Sequence, residues 1–389
     1  MSGRLDFDVA ILGAGLAGLS LAVRLAEPRF AGLRVLVVEP RTHYARDRTW
    51  SFWSTHPHPF QAAVACSWDR WAVTTEAHQV VRAAPGCSYD SIPADCLYDL
   101  ALARLAAAPH VTLQLGVHAT ALEEDDAVVV RAGGQAWRCE MVFDTRPVAG
   151  IRRRGLLQIF GGMEIETSES VFDPNVAVLM DFRTAQAGGA HFTYVLPSSP
   201  TRALVEDTWL APPGFQPPDH RLAVQDHLRR RFGVERFKIL FCEQGALPMD
   251  PGFEPQNGRR LLAFGVAGGA MRPSTGYAFN AIQAHCDAAA RALAAGSMPI
   301  AAPARPAMAR MMDHVLLDML SRQPEQAPRL FSRLFERCSP AALIRFLNDC
   351  ARPADFMAVA AAVPLRPTML AALKLAAERM QWSNTVVPG

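Results

Sequence analysis

Three glycines near the start of the chain have the spacing of a loop that binds the phosphates of a dinucleotide. Gly13 permits a tight turn, Gly15 lets a pyrophosphate approach the backbone, and Gly18 lets a helix pack closely on a strand. Ala14 lies within the same loop. Farther along the chain, Glu39 is suited to bind a ribose hydroxyl group. These residue types in this order predict a site for a dinucleotide cofactor.

The elements that must position these residues are those of a βαβ unit. A short apolar run over residues 8–12 predicts a buried parallel strand, residues 19–26 predict a helix, and residues 35–38 predict a second strand. The helix N-terminus supplies free N–H groups and the positive end of a dipole for the phosphates. The position near the N-terminus, with no second fingerprint in the chain, favours FAD. Binding of NAD(P) alone stays an alternative.

A second glycine-rich stretch, residues 261–277, predicts another part of the cofactor site. A strand ends at Gly265, and a helix of small residues is predicted over 278–295. The turn before that helix consists of Pro273, Ser274, Thr275, Gly276 and Tyr277. We expect Ser274 or Thr275 to cap the helix, whose N-terminus is again a position that stabilises an anion.

The loop that follows Glu39 is rich in arginine and aromatic residues. Arg48 is a candidate to hold a phosphate, and Trp50 is a candidate to flank a ring of the cofactor. The alternative is an ordinary surface loop that carries aromatic residues.

The bulk composition excludes several classes of protein. A formal net charge of +2 on 389 residues, with no basic and aromatic pattern, argues against nucleic-acid binding. The eight cysteines are scattered without metal-ligand spacing, so we expect no metal and a reducing compartment. The first strand begins too early for a signal peptide, and the longest apolar run, residues 356–365, is too short to span a bilayer. We therefore expect a cytoplasmic protein.

The remaining sequence divides into three further parts. Residues 155–245 alternate between apolar and polar positions and predict a mostly antiparallel sheet that covers a substrate cavity. Residues 246–302 return to the cofactor domain, which begins with residues 1–154 and carries inserted strands at about 60–95. Residues 303–389 predict a helical cap that faces a membrane. The expected fold class is α/β, with a Rossmann-like FAD-binding domain, an antiparallel substrate sheet and a helical C-terminal cap.

Taken together, these motifs resemble the FAD-dependent lycopene cyclases, specifically the bacterial lycopene β-cyclase type. The glycine fingerprint alone is shared by many flavoproteins. The strand that contains Glu-Asp-Thr (206–208) and the turn Pro-Ser-Thr-Gly-Tyr (273–277) are more specific. The matching segments are residues 11–18, 37–39, 47–53, 143–146, 178–182, 194–197, 205–208, 247–249 and 273–277. The chain departs from broader flavoprotein relatives at Gly265-Val266, where many carry Gly-Asp, and matching is weakest after about residue 303.

This resemblance implies a reaction in which the acyclic ψ ends of lycopene close to β-ionone rings. It implies reduced FAD as the active cofactor and NAD(P)H as its reductant. Glu206 matches the acidic position of the family motif and is the candidate acid or base. The neighbouring Asp207 is expected on the opposite face of the strand as a structural or orienting partner, and in the other register the two roles are exchanged. Glu164, Glu166 and Asp181 are lesser candidates.

The implied partners are lycopene and other ψ-ended carotenoids, other enzymes of carotenoid synthesis and the inner face of the cell membrane. The arginine triplets 152–154 and 229–231 are either solvated surface or contacts for anionic lipid headgroups. Two alternative functions stay open. One is an NAD(P)H-consuming FAD oxidoreductase, such as a prenyl reductase or an aromatic hydroxylase. The other is a carotenoid- or lipid-binding protein that retains a flavin fold.

Overall fold

The computed structural model describes residues 4–124, 126–147, 155–299, 301 and 305–363. Within these ranges the strands are β1 (Phe7–Leu12), β2 (Val35–Glu39), β3 (Thr49–Ser54), β4 (Cys66–Trp68), β5 (Arg70–Thr74), β6 (Gln79–Arg82), β7 (Ser88–Pro93), β8 (Val111–Leu115), β9 (Ala119–Glu123), β10 (Val128–Ala132), β11 (Gln135–Asp144), β12 (Leu156–Glu166), β13 (Val176–Asp181), β14 (Ala190–Ser199), β15 (Arg202–Ala211), β16 (Lys238–Met249) and β17 (Leu261–Ala263). The α-helices are α1 (Leu16–Leu25), α2 (Ala94–Ala106), α3 (His220–Phe232), α4 (Phe279–Ala294), α5 (Ala307–Arg322), α6 (Ala327–Arg337), α7 (Pro340–Leu347) and α8 (Pro353–Ala362).

The first sheet forms the predicted cofactor-binding unit. Its strand order is β8-β2-β1-β11-β10-β9, and β17 pairs with the end of β11. The strands β8, β2, β1, β11 and β17 are mutually parallel. β10 is antiparallel to both of its neighbours, β9 and β11, and the three strands form a meander. Every residue of β2 is buried, as expected for a parallel strand covered on both faces. The helix α1 packs against α4, so the two glycine-rich stretches of the sequence lie in one unit.

The second sheet lies beside the first and is built almost entirely from antiparallel pairs. Its strand order is β16-β12-β15-β14-β13-β5-β6, with only the β13–β5 pair parallel. Because side chains alternate along a strand, its two faces have different partners. One face packs against α3 through Met163, Val205 and Leu228. The other face packs against the C-terminal helices through residues that include Leu204 and Leu317.

A third, three-stranded sheet and the C-terminal helices complete the fold. The small sheet has the order β3-β7-β4. Its Trp53 and Tyr89 share one hydrophobic core with residues of α5 to α8. The fold class expected from the sequence is therefore confirmed, including helices in the C-terminal part. The part of the predicted helical cap beyond residue 363 lies outside the described residues.

Two further expectations concern membranes and metals. In the described part of the chain, no helix combines the length and apolarity needed to cross a bilayer. Across the same ranges, no group of three or more His, Cys, Asp or Glu side chains could hold a metal ion. The arginine triplet 152–154 lies outside these ranges. In the triplet 229–231, Arg229 and Arg230 pair with Asp226, and Arg231 pairs with Glu76, so ion pairs partly neutralise its charge.

Candidate active site

The glycine loop after β1 has the geometry expected at each of its three glycines. Gly13 has a φ of +89°, a conformation that side chains rarely adopt. A Cβ atom at Gly18 would collide with the carbonyl oxygen of Gly13, so only glycine allows α1 to approach the loop this closely. At Gly15 the nearest atom to an added Cβ would be Nη2 of Arg41, 3.9 Å away. The middle glycine therefore leaves open space beside the backbone.

Glu39, at the end of β2, is hydrogen-bonded to the glycine loop. Its carboxylate accepts hydrogen bonds from the backbone N–H of Ala14 (2.5 Å) and from Nε of Arg41 (2.8 Å). Burial acts to raise the pKa of Glu39, but the hydrogen bonds from Arg41 and Ala14 outweigh it and lower the pKa below the ordinary value. Glu39 is therefore an ionised acceptor at neutral pH.

Arg41, rather than the predicted Arg48, donates a hydrogen bond to the glycine loop. The Nη2 atom of Arg41 donates to the carbonyl oxygen of Ala14 (3.1 Å). Arg48 is exposed and pairs with its neighbour Asp47 at 2.9 Å. The Trp50 ring lies edge-on to the ring of Tyr98, at 5.8 Å between centroids. A phosphate contact by Arg48 stays a prediction.

The turn Pro273–Thr275 does not cap the following helix, and our expectation that it would is wrong. α4 begins at Phe279, after an N-cap at Ala278 that makes no side-chain hydrogen bond. The Ser274 hydroxyl instead donates to Asp313 of α5 (2.7 Å). Thr275 Oγ1 accepts from the backbone N–H of Tyr277 (3.2 Å).

The reason is that this turn closes on itself before the helix starts. The N–H of Arg272 donates to the carbonyl of Tyr277 (2.8 Å), and the N–H of Gly276 donates back to the carbonyl of Arg272 (2.9 Å). The Arg272 guanidinium is 1% exposed and pairs with Asp313 at 2.9 Å. The turn is thereby tied to the C-terminal helices rather than to α4.

Two glycines bring the cofactor segments to each other and to the second sheet. A side chain at Gly265, which has a φ of +65°, would collide with Cβ of Ala17 on α1. A Cβ atom at Gly276 would lie 3.0 Å from Cδ1 of Leu247 and 3.1 Å from Oε1 of Gln158. Gly265 thus meets the start of α1, and the turn at Gly276 meets β12 and β16 of the second sheet.

On that sheet, two glutamates flank one glycine. Gly162 of β12 is paired with Glu206 of β15 on one side and with Glu243 of β16 on the other. An added Cβ at Gly162 would stand 2.5 Å from Cγ of Glu206, so the Glu206 side chain lies over the position that a larger residue would fill. Gly162 therefore lets two carboxyl groups approach each other across the middle strand.

Both carboxyl groups of this pair ionise with difficulty. Burial, the charge of Glu243 and a hydrogen bond with Glu243 raise the pKa of Glu206 well above its ordinary value. Burial also raises the pKa of Glu243, to about 7, although the charge of Arg46 and hydrogen bonds from Glu206 and Thr49 oppose this effect. Two like charges this close cannot both form easily, so the pair retains a proton at neutral pH.

Asp207, the next residue along β15, points to the opposite face. Its carboxylate accepts hydrogen bonds from Nε2 of His191 (2.5 Å), Nδ1 of His220 (2.7 Å) and Nε1 of Trp209 (2.9 Å). Burial acts to raise the pKa of Asp207, but the hydrogen bonds from the two histidines outweigh it and lower the pKa. Asp207 is ionised and holds α3 and β14 to β15, as an orienting partner would.

A row of tyrosine hydroxyls runs from the strand next to Glu206 to the glycine-rich turn. Tyr194 is the cross-strand neighbour of Glu206. Its hydroxyl donates to that of Tyr89 (2.8 Å), which lies 3.4 Å from the hydroxyl of Tyr277. Tyr277 ends the turn that contains Gly276. The hydroxyls of Tyr194, Tyr89 and Tyr277 therefore form a row from the strand position beside Glu206 to the turn.

Comparison with known proteins decides the family. The family model described as lycopene cyclase protein matches residues 8–373. The chain belongs to the lycopene cyclase family. It is 28% identical over 288 residues to the lycopene beta-cyclase of Pantoea ananas, covering 70% of each chain. It is 28% identical over 306 residues to that of Pseudescherichia vulneris, covering 75% of this chain and 76% of the relative.

Solved structures support the fold of this lycopene cyclase family member. A geranylgeranyl bacteriochlorophyll reductase-like protein of Thermoplasma acidophilum superimposes with a TM-score of 0.65 at 13% identity, over 94% of this chain and 98% of the other. The aklavinone-11 hydroxylase solved with FAD and aklavinone has a TM-score of 0.56 at 17% identity, over 76% and 63%. At these identities the likeness is one of fold alone.

The lesser carboxylate candidates of this family member lie in three different settings. Glu164 shares the face of Glu206 and pairs with Arg46 at 2.6 Å. Glu166 pairs with Arg202 at 2.6 Å near the exposed end of β12. Asp181 is buried near α3, where it pairs with Arg183 at 2.5 Å. Each therefore has a cationic partner, unlike Glu206.

The residue that sequence reasoning missed is Glu243, which lies within the predicted substrate sheet (155–245) but was not named as a candidate. A signal was present in the sequence. The segment Phe241, Glu243, Gly245 and Leu247 alternates, and Glu243 is the carboxylate on an otherwise apolar or small-residue face. Glycine within a strand also marks a close approach, and Gly162 is such a residue.

A cavity of about 690 Å³ adjoins the second glycine-rich stretch of the family member. Its wall includes Gly268, Gly269 and Pro273 from that stretch, His285 of α4, and Pro248 at the end of β16. This volume lies within the range of cofactor and ligand sites. The cavity therefore offers room beside the turn predicted to contact the cofactor.

Proposed function

We propose that this protein is a lycopene β-cyclase that converts the acyclic ψ ends of lycopene to β-ionone rings, giving β-carotene via γ-carotene. Family membership and the two relatives support the substrate class. The observation that carries the chemistry is Glu206, a carboxyl group whose pKa is raised well above the ordinary value, on a sheet face that packs into an apolar core. Such a group is available as a general acid at neutral pH.

In the proposed reaction, Glu206 donates its proton to C2 of the terminal alkene. A C–H bond forms, the alkene supplies the electron pair, and a tertiary cation remains at C1. The C5–C6 double bond then attacks C1, and loss of the C6 proton to a base gives the β ring. The atoms and electrons balance without any net oxidation or reduction.

The surroundings of Glu206 suit such a reaction in two ways. Leu196, Leu204 and Leu210 belong to the core that covers this face, and an apolar lining excludes the water that would trap the cation as an alcohol. Aromatic side chains, including Tyr194 and Tyr89, present electron-rich faces that favour a nearby cation. The residues therefore supply a proton and protect the cation that it creates.

We propose that FAD binds at the junction of the two glycine-rich stretches. The open space at Gly15, the fixed loop at Gly13 and Gly18, the ionised Glu39, and the second stretch near Gly265 and Pro273–Tyr277 fit a dinucleotide. When bound in its reduced form, the flavin supplies an electron-rich ring that stabilises positive charge nearby. NAD(P)H is the proposed reductant.

The cofactor proposal is tested by the flavin content of purified protein. Gly15→Val fills the space beside the loop, and we expect it to remove the visible flavin absorption. Gly32→Val is the matched control, because an added Cβ at Gly32 meets no atom within 4 Å. Equal flavin content in the two variants would contradict the proposed site.

The activity is tested by expressing the chain in a host that accumulates lycopene and identifying the pigment. We expect β-carotene, and unchanged lycopene in the presence of flavin-loaded protein would overturn the proposal. With purified protein under anaerobic reduction, we expect much less than one nicotinamide to be oxidised per ring formed. A one-to-one ratio would instead favour an NAD(P)H-consuming oxidoreductase.

We further propose that the protein works at the inner face of the cell membrane, because a C40 hydrocarbon substrate dissolves in lipid and not in water. Other enzymes of carotenoid synthesis are expected beside it. The test is sedimentation of the full chain with vesicles of anionic or neutral lipid. No sedimentation with either kind would contradict this localisation.

A further inference from the structure

The strand register makes Glu243 a near neighbour of Glu206, although β12 separates the two strands. Both residues pair with Gly162, and neighbouring strands lie about 4.8 Å apart. A side chain at the middle position would ordinarily separate them. Since an added Cβ at Gly162 would stand 2.5 Å from Cγ of Glu206, the glutamate side chain occupies that space. The glycine is therefore what permits contact between the two carboxyl groups.

Glu243 is buried, and one oxygen of its carboxyl group is available to accept a hydrogen bond. Its side chain is buried, with a relative exposure of 8%. Among the described residues, its Oε2 atom has no hydrogen-bond partner. A buried carboxylate oxygen without a partner is costly, so its retention calls for an explanation beyond packing.

The charged and titratable groups around the pair make its two members unequal. Arg46, from the loop before β3, acts on Glu243 while it is paired with Glu164 at 2.6 Å and lies over the ring of Phe241. On the other side, Tyr194 of β14 is the neighbour of Glu206. The Cys66 thiol of β4 lies near Glu164. The only cation of this set lies on the Glu243 side, so Glu243 ionises first and Glu206 keeps the proton.

We propose that Glu243 is a positioning residue for ring closure: its carboxylate accepts a hydrogen bond from protonated Glu206 and keeps the proton there until the alkene arrives. This inference rests on the proposed function, in which Glu206 is the acid. Once Glu206 has given up its proton, the pair carries two negative charges. Together these two charges stabilise the positive charge that forms on the substrate.

The test is the dependence of kcat/KM on pH for the flavin-loaded protein with lycopene. In Glu243→Gln the size is kept and the charge is removed, so the pKa of Glu206 falls. We expect the alkaline limb of the profile to move to lower pH by about one unit or more, as for removal of a like charge. Glu166→Gln, at the exposed end of β12, is the control and should leave the limb in place. An unmoved limb in Glu243→Gln would overturn the inference.

A second readout does not depend on activity. The infrared carbonyl band of the protonated carboxylic acid is titrated in the flavin-loaded wild type, with Glu206→Gln used to assign it. We expect the band to disappear at lower pH in Glu243→Gln, and an unchanged titration would overturn the inference even if cyclisation occurs. If lycopene stays linear while the band shifts as expected, the proposed function fails and the carboxyl pair stands.

A conservative variant covers the case in which Glu243→Gln does not fold. Glu243→Asp keeps the charge and withdraws it by one methylene group, so we expect a smaller shift in the same direction by both readouts. A shift in the opposite direction, or none, would contradict the role of Glu243.

Discussion

Glu206 and Asp207 are consecutive residues of one strand, yet their surroundings move their pKa values in opposite directions. Glu206 faces a second carboxyl group across a glycine and is kept neutral. Asp207 faces two histidines and a tryptophan and is kept ionised. The comparison teaches that the face of the sheet, rather than the type of residue, separates an acid suited to proton donation from an acid suited to holding structure.

The same contrast recurs one strand away, at Gly161 and Gly162. An added Cβ at Gly161 would stand 2.6 Å from Cβ of His220, on the face where α3 packs. An added Cβ at Gly162 would stand 2.5 Å from Cγ of Glu206, on the other face. One glycine admits a helix and the other admits a pair of carboxyl groups.

The largest effect is expected from Glu206→Gln. This change keeps the size of the side chain and removes the proton that it donates, so cyclisation should fall by at least about 100-fold. The measurement is the rate of ring formation at equal flavin content, with Glu166→Gln as the control. Activity within about tenfold of the wild type would remove Glu206 from the mechanism.

Asp207→Asn should act mainly on stability. Loss of the charge leaves the N–H groups of His191 and His220 without their ionised acceptor, and breaking a buried charged network costs roughly 3 kcal/mol. The measurement is the free energy of unfolding in urea, followed by tryptophan fluorescence. A loss no larger than that of Glu166→Gln, at a partly exposed ion pair, would show that the network contributes little.

The glycine pair separates activity from packing. Gly161→Ala and Gly162→Ala should each cost about 1–3 kcal/mol of unfolding free energy, because both overfill a close contact. Only Gly162→Ala should also slow cyclisation at a temperature where both variants are folded. Equal rates in the two variants would mean that the contact between Glu206 and Glu243 has no part in the reaction.

The smallest effect is a difference in the pH dependence of stability. The pKa of Glu243 is raised to about 7, so between its unfolded value of about 4.3 and pH 7 the native state binds more protons than the unfolded state. Its contribution to the unfolding free energy is present at low pH and is lost as pH rises through about 7, by up to about 1.4 kcal/mol per pH unit. Glu243→Gln should flatten this decline, which urea unfolding at a series of pH values would detect.

The lowered pKa of Asp207 has the opposite sign. Its contribution is present above the unfolded pKa of about 3.9 and is lost as pH falls through the lower folded value. In the same series of measurements, Asp207→Asn should therefore reduce the loss of unfolding free energy at acid pH. The decline of the unfolding free energy toward pH 7 should stay in place. The reverse result would show that the two faces had been assigned wrongly.

Much of the fold and half of the site could be predicted from residues that are close together in the chain. The glycine spacing at Gly13, Gly15 and Gly18 predicts the turn, the open backbone and the close helix, and the structure shows each of these features. Alternation along a strand places Glu206 and Asp207 on opposite faces. The prediction that Ser274 or Thr275 caps α4 was wrong, because a capping residue is predicted from the local sequence pattern alone. The Ser274 hydroxyl instead donates to Asp313 of α5, which is distant in the chain.

The sequence by itself therefore determined the cofactor-type fold, the acidic strand and the opposite directions of its two carboxylates, since these follow from local spacing and the period of a strand. Only the tertiary structure decided that Glu243 opposes Glu206 across Gly162 and that Arg41 rather than Arg48 lies at the glycine loop. Both outcomes depend on which strands and loops become neighbours. The physical reason is that the pKa of a buried carboxyl group is set by charges nearby in space, and residues far apart in the chain supply those charges.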